Sequence, residues 1–518
     1  MHNGQRRDNM DFNVNKEQLS CCETVPQGNA EYSIDCDITL PEYLPDIVRI
    51  LRCLCVPGVQ SHQINGDRIS ADCSCVVRVL YICEQGKVRC FEQNLSFSKQ
   101  LELKTPDITD VFVGARTDYV NYRVSGQRRF EIHGAITVFA RANIKKQCDF
   151  ITSAQGCGVT ARCEKTETCN LTSAIEKIFT VSETIDPATT DQQINGIISA
   201  SATPVIDEIK VISNKLFLKA ELLVHTCFTV GESCEIQSLD NIISINQIIE
   251  ASHIDENSDV DALLSLLCLD VKNRFDSATN KNLLDISAVL NFSACGYCTQ
   301  SITVIKDAYS TKYEAELKKV DVSLVALEEK IEDTFLCRGS CDLSTTGFNK
   351  IHSFVCNDII ADFSNTDEGI LVNGEVTADI IFEDAKGEIA FAQRKLPFEY
   401  KRPLQRDKRR LYCQPNCVVS ASNFVINETG KLDVRFEVNI HGFVFSQEER
   451  FVTTDIIIDE TKIKAVKTAS LTVYFAEKNE SLWSIAEKYN TTTEAIIREN
   501  GLTDGIVDKN CRLLIPKM

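Results

Sequence analysis

Three stretches of this chain carry the same pattern of apolar and polar positions. Arg68 to Tyr81, Lys215 to Phe228 and Gly369 to Phe382 align without a gap over fourteen residues. Apolar side chains recur at shared offsets, as in Ile69, Leu216 and Ile370 or Ala71, Leu218 and Val372, and an aromatic closes each copy. Alternation with a period of two predicts half-buried strands. The first and third copies continue in register: Gly86 and Gly387 lie five residues past the aromatic, Leu95 and Leu396 fourteen, Phe97 and Phe398 sixteen. That spacing predicts a hairpin with glycine relieving its turn. The second copy has a shorter turn around Gly231.

The repeat is larger than its hairpin. Arg129-Phe130-Glu131-Ile132-His133-Gly134 is echoed by Arg435-Phe436-Glu437 and Ile440-His441-Gly442, with two extra residues between. A two-residue offset leaves both histidines on corresponding strand faces, a structural placement. Ahead of the first hairpin runs Leu40-Pro41-Glu42-Tyr43-Leu44-Pro45-Asp46-Ile47-Val48-Arg49-Ile50-Leu51. Its Pro45-Asp46 punctuates, and Ile47, Ile50, Leu51 and Leu54 predict one face of a helix. Ile185-Asp186-Pro187 to Ile197-Ile198 is a weaker counterpart before the second hairpin. These patterns predict a mainly β chain: an N-terminal segment 1–36, three tandem β repeats at 37–155, 165–315 and 330–456, and a different unit at 469–518.

In that last unit Leu471 to Phe475 reads as a strand, followed by a turn at Glu477 to Glu480. Ser481 is a good N-cap for a helix whose Leu482, Ile485, Ala486 and Tyr489 fall on one face, and Asn490 ends it in the left-handed conformation. A second helix follows Thr491 to Thr493, turns Ala495 and Ile496 inward and stops at Asn500-Gly501. Arg512 to Pro516 closes a βααβ unit, small enough to need both helices on its two-stranded sheet. Trp483, the single tryptophan of the chain, is read as a packing residue.

Composition adds boundaries. At roughly 100 to 200 residues per domain, the 518 residues make about three to five domains. A formal net charge of −19 excludes a general attraction to nucleic acid or anionic lipid, which requires clustered Lys and Arg. The basic run Lys401, Arg402, Arg406, Lys408, Arg409 and Arg410, broken by Pro403 and Asp407, predicts an exposed loop. Met1 to Asn13 is polar, and no run of about 18 apolar residues occurs, so the chain is expected to stay in the cytosol, not spanning a membrane. The 24 cysteines stand largely on apolar strand positions of a long chain and read as reduced thiols serving as small hydrophobes. Cys295-x-x-Cys298 ends an alternating strand instead of opening a helix, and Cys337 with Cys341 and Cys413 with Cys417 make only a loosely spaced thiolate set. Phosphate-loop, HExxH and GxSxG signatures are absent. No enzyme is expected, and no catalytic, cofactor-binding or metal-binding residue is assigned.

The Leu40 to Leu51 stretch, the tandem β units and the C-terminal module together resemble the SPOCS-domain coat morphogenetic proteins of spore-forming Firmicutes, and the segment 469–518 resembles a LysM module. The resemblance implies three SPOCS-type repeats and a role in the mother-cell cytoplasm during sporulation, at the forespore surface. Such proteins bind the coat basement-layer ATPase, stage IV sporulation protein A, and help the coat encase the forespore. In glycan-binding LysM modules the sugar lies between the loop before the first helix and the loop before the last strand, built on Gly-Asp-Ser/Thr and Pro-Gly-Gln. Here those places read Asn479-Glu480-Ser481 and Lys509-Asn510-Cys511. Asparagine keeps the turn shape but fills space that glycine leaves open to an N-acetyl sugar. The candidate binding residues are therefore Asn479, Glu480, Ser481, Leu482, Trp483, Asn500, Lys509 and Asn510, docking a protein, with a peptidoglycan tether as the alternative. Metal analysis and thiol counting test the cysteine reading: the denatured chain should consume 24 equivalents of alkylating reagent without reductant, and the native protein should carry no zinc.

Overall fold

The structure is a computed structural model that describes residues 12–102, 108–187, 193–277, 281–343, 347–366, 368–404, 410–413, 415–428, 430–464, 471–502, 505–507 and 510–517. Up to residue 463 it is built from three six-part units. The first holds β1 (Asn13–Thr39), β2 (Ile47–Asn65), β3 (Arg68–Cys83), β4 (Val88–Glu102), β5 (Ile108–Gly126) and β6 (Arg129–Gln155). The second repeats that order as β7 (Val159–Ile185), β8 (Ile194–Ile212), β9 (Lys215–Val230), β10 (Glu235–Glu250), β11 (Asp259–Asp276) and β12 (Lys281–Ser310). The third runs through β13 (Tyr313–Cys341), β14 (Phe348–Thr366), β15 (Gly369–Asp384) and β16 (Ile389–Pro403). Its fifth position is split into β17 (Arg410–Cys413) and β18 (Asn416–Ile426), before β19 (Leu432–Ile463).

In each unit the second, third and fourth strands form an antiparallel meander, and the sixth strand pairs with the first and the fifth. The two sheets face one another over a single apolar core, which in the first unit includes Ile34, Val77, Phe97, Val111 and Phe130. Closing aromatics Tyr81, Phe228 and Phe382 are all buried, each contributing roughly 1.5–3 kcal/mol of apolar burial. The hairpin glycines Gly86, Gly231 and Gly387 hold φ of 72°, 66° and 83°, a region costly to residues with a Cβ. Residues 13–36, set apart as a segment on sequence, belong to β1 and pair along β6.

The helix expected at Ile47 to Leu54 is a strand. Register shifts between Ile47 and Arg49 and between Ile50 and Arg52 insert an extra residue each time, so Ile47 opposes Cys83 and Ile50 opposes Tyr81. Both isoleucines thereby face the core three residues apart, the spacing that imitates a helix. The same pair of bulges opens β8, at Ile194 and Ile197, and β14, at Phe348 and Ile351. The 401–410 run is only partly a loop. Lys401 and Arg402 end β16, where Arg402 bridges Glu329 at 2.6 Å and Asp333 at 3.4 Å on β13; residues 405–409 lie outside the described residues.

The three units close on one another. β4 packs on β8, β10 on β14 and β16 on β2, so the outer strand of each meander meets the first strand of the next. Polar seams follow: Lys87 Nζ donates to Glu232 O (2.9 Å), Lys350 pairs with Glu235 (3.1 Å) and Arg49 Nη2 donates to Ile389 O (2.7 Å). Between the first and third units Arg52 bridges Asp379 at 2.6 Å, stacks over Phe391 and shields a carboxylate only 4% exposed. Far ends of the long strands converge in a shared cluster of Leu19, Phe150, Ile302, Val304, Val322, Leu324 and Val452.

Replacing Arg52 by alanine leaves Asp379 without its cationic partner, with only the Asn357 and Gln393 amides donating to it, beside Asp358, whose own carboxyl is already pushed up by burial and by Asp379. The expected loss is about 3 kcal/mol, read as a lower urea midpoint by circular dichroism, and replacing both partners by apolar residues should recover most of it.

Candidate binding site in the C-terminal domain

Beyond β19 the chain forms β20 (Leu471–Ala476), α1 (Leu482–Lys488), α2 (Thr493–Asn500) and β21 (Cys511–Pro516), the last pairing antiparallel with β20. Leu482, Ile485, Ala486, Ile496, Val507, Leu513 and Ile515 make its core. Thr492 Oγ1 caps α2 by accepting from Ala495 N at 3.2 Å, and Gly501 ends it at φ 64°. Ser481 does occupy the N-cap of α1, yet its hydroxyl makes no capping bond. Its backbone is instead fixed in a bridge to Ile506.

The two loops of the candidate groove are zipped together. Asn479 N donates to Val507 O (2.8 Å), Val507 N to Glu480 O (3.1 Å) and Leu482 N to Gly505 O (3.0 Å). Asn510 Oδ1 accepts from Lys478 N at 2.7 Å. Glu480 Oε1 accepts from the Tyr474 hydroxyl at 2.6 Å and Oε2 from Glu477 N at 3.0 Å. These donors, Tyr474 first, hold the Glu480 carboxyl below its usual range, and in return Tyr474 is pushed up to about 12. Asn479 takes φ 69°, the left-handed conformation expected of it.

Of the eight residues expected at the site, the structure brings Asn479, Glu480, Ser481 and Asn510 to these paired loops. Leu482 is fully buried, because it begins the inward face of α1, and offers no contact to a ligand. Asn500 is a brace: Nδ2 donates to Ile496 O (2.8 Å) and Leu514 O (2.7 Å) while Oδ1 accepts from Leu514 N (2.7 Å). Lys509 lies outside the described residues. Trp483 leaves its own domain: its indole Nε1 donates to Asp307 Oδ2 at 2.9 Å and its ring meets Tyr309 edge-on at 4.9 Å. Asp307 and Tyr309, on β12, have no local sequence signal that marks them as partners.

Elsewhere, one constellation resembles a nucleophile relay. His225 Nδ1 lies 2.6 Å from Asp240 Oδ1 and Nε2 lies 2.8 Å from Ser353 Oγ. Ser353 is 4% exposed at the seam between the second and third units, and the Asp240 side chain is 85% exposed, the reverse of a relay that keeps its carboxylate buried and its hydroxyl open. The arrangement clamps the seam. His133 and His441 each follow a buried isoleucine on β6 and β19 and point away from the core, His133 to Asp35 (3.2 Å) and His441 to Asp261 of the second unit (3.4 Å). Cys413 and Cys417 face the third core, where burial pushes both thiols up to about 12. Cys341 shares that core, and Cys295 and Cys298 lie within β12. Among the described residues no helix is long and apolar enough to cross a membrane.

Residues 46–125 match the family model described as SipL, SPOCS domain, and residues 476–507 match that of the LysM domain. The first match covers β2 to β5; the second covers the first zipped loop, both helices and the second loop as far as Val507. No curated protein and no solved structure matches the chain.

Asn500→Ala removes three hydrogen bonds and takes from Leu514 the side-chain partner of both its backbone N–H and its carbonyl. It should cost the C-terminal domain about 2 kcal/mol, against about 1 kcal/mol for Asn510→Ala, measured by following Trp483 emission through a urea titration.

Proposed function

We propose that this chain, which carries a SipL SPOCS domain and a LysM domain, is a non-catalytic adaptor of the spore coat. Its partner is the coat basement-layer ATPase, stage IV sporulation protein A, and its place is the forespore surface on the mother-cell side. The second and third units repeat the strand order of the first, which contains the matched segment, so we read all three as SPOCS-type repeats. Three linked units present a broad protein surface, suited to assembly.

The observation that carries the protein-docking reading is the state of the zipped loops. Both carboxylate oxygens of Glu480 and Oδ1 of Asn510 already have partners within the domain, and Asn500 is wholly engaged in bracing β21. A sugar subsite needs polar groups aimed outward at its hydroxyls and amide. Here the Glu480 carboxylate, Asn510 Oδ1 and the Asn500 amide serve the domain itself, which favours a ligand read by shape and apolar area. Peptidoglycan remains the second reading, supported by the loop backbone: Asn479 keeps the left-handed conformation that glycine supplies in sugar-binding modules.

The purified full-length chain should co-purify with the ATPase, and deletion of 469–518 should abolish the complex. Unchanged complex formation after the deletion would overturn the docking role of the LysM domain. Pelleting of the full-length chain with purified peptidoglycan, lost on the same deletion, would favour the tether.

A further inference from the structure

The LysM domain is fastened to a unit other than the one it directly follows in the chain. It follows β19 of the third unit, yet its contact is with the end of β12 in the second. Tyr309 is 3% exposed and packs with Leu482, Ile485, Ala486 and Ile496 as a member of the domain's own core. Its hydroxyl donates to Thr491 O at 2.7 Å, at the junction between α1 and α2. Asp307 stands at a register shift of β12 after Ile305. A bulge re-aims a side chain that regular pleating would direct elsewhere. One Asp307 oxygen accepts from Ala308 N at 3.1 Å, which fixes the carboxylate, and the other accepts the indole N–H of Trp483.

From this geometry we propose that Asp307 and Tyr309 form a latch that keeps the Trp483 face of the LysM domain against the β body and withholds it from the partner. This rests on the reading that the LysM domain binds a protein. Trp483 stands two residues past Ser481 of the first zipped loop, so a protein that covers the loops reaches the indole ring. Large amphipathic aromatics of this kind dominate the energetics of protein interfaces. While the latch is closed, the ring's edge and N–H are satisfied internally. A partner must then replace a charge-assisted hydrogen bond and an edge-to-face aromatic pair, and its apparent affinity falls by the fraction of molecules that are open.

Trp483 is the only tryptophan in the chain, so the emission of the intact protein reports the latch directly. Full-length wild type, Asp307→Ala, Asp307→Asn and Tyr309→Phe are compared by acrylamide quenching and by binding to the purified coat ATPase. Asp307→Asn retains an acceptor oxygen and controls for any general disturbance of β12. In Asp307→Ala the quenching constant is expected to rise severalfold and the affinity for the ATPase to rise about tenfold, the loss of one charge-assisted bond expressed as a shift in the open population. Asp307→Asn should stay near wild type and Tyr309→Phe should fall between. Quenching unchanged in Asp307→Ala would overturn the latch. Increased quenching with unchanged or weaker affinity would overturn its gating role. Should no variant bind the ATPase, the partner assignment fails along with gating, while the quenching series still decides whether the latch exists.

Discussion

The architecture depends on covering strands that are too long for their own unit. β1, β6, β7, β12, β13 and β19 run for 27 to 32 residues, on the order of 90–105 Å if extended, whereas the meander strands have 15 to 19. Each long strand belongs to a sandwich along one part of its length and passes beyond the covering meander along the other. The surplus apolar face has to be buried elsewhere. It is buried against the corresponding surplus of the other two units, in the cluster that joins Leu19 and Phe150 to Val304 and Val452. Three units meet that need together, and the cyclic contact of meander on meander follows from it.

Much of the local structure was legible in the sequence. Period-two alternation, the gapless alignment and the turn glycines specified the hairpins, and the periodicity and stops of the C-terminal unit specified its helices. What misled was a local device: paired bulges in β2 place Ile47 and Ile50 inward at an interval of three, which is indistinguishable from a helical face in one dimension. Arg402 departs from the expected loop for a related reason. A cationic run reads as solvated until the carboxylates of another strand, here Glu329 and Asp333, are known to stand opposite it.

The candidate site was legible as a place and illegible as a set of roles. Asn479, Glu480, Ser481 and Asn510 do converge, because turn chemistry is local. Leu482 proved to be an interior member of the domain and Asn500 a brace to β21, and the partner of Trp483 lies 176 residues away on a strand with no marker of its own. The clamp of His225 on Ser353 was likewise beyond reach, since 128 residues and a unit boundary separate the two. Such contacts arise from the mutual placement of units, which single-sequence periodicity does not encode.

The attachment of the C-terminal domain to β12 bears on how the molecule carries mechanical load. Tension applied to that domain does not enter the β body through β19 alone. It is divided, one share following the covalent chain into the third unit and the other passing through Tyr309 and Asp307 into the second. Both receiving strands are the middle members of their sheets, paired on each side along their first halves and with one long neighbour, β7 or β13, where the load enters. Force directed along them is resisted by many hydrogen bonds sheared together, whereas an outer strand would peel away one bond at a time. An assembly hung from this domain would therefore pull on the stiffest members of the body.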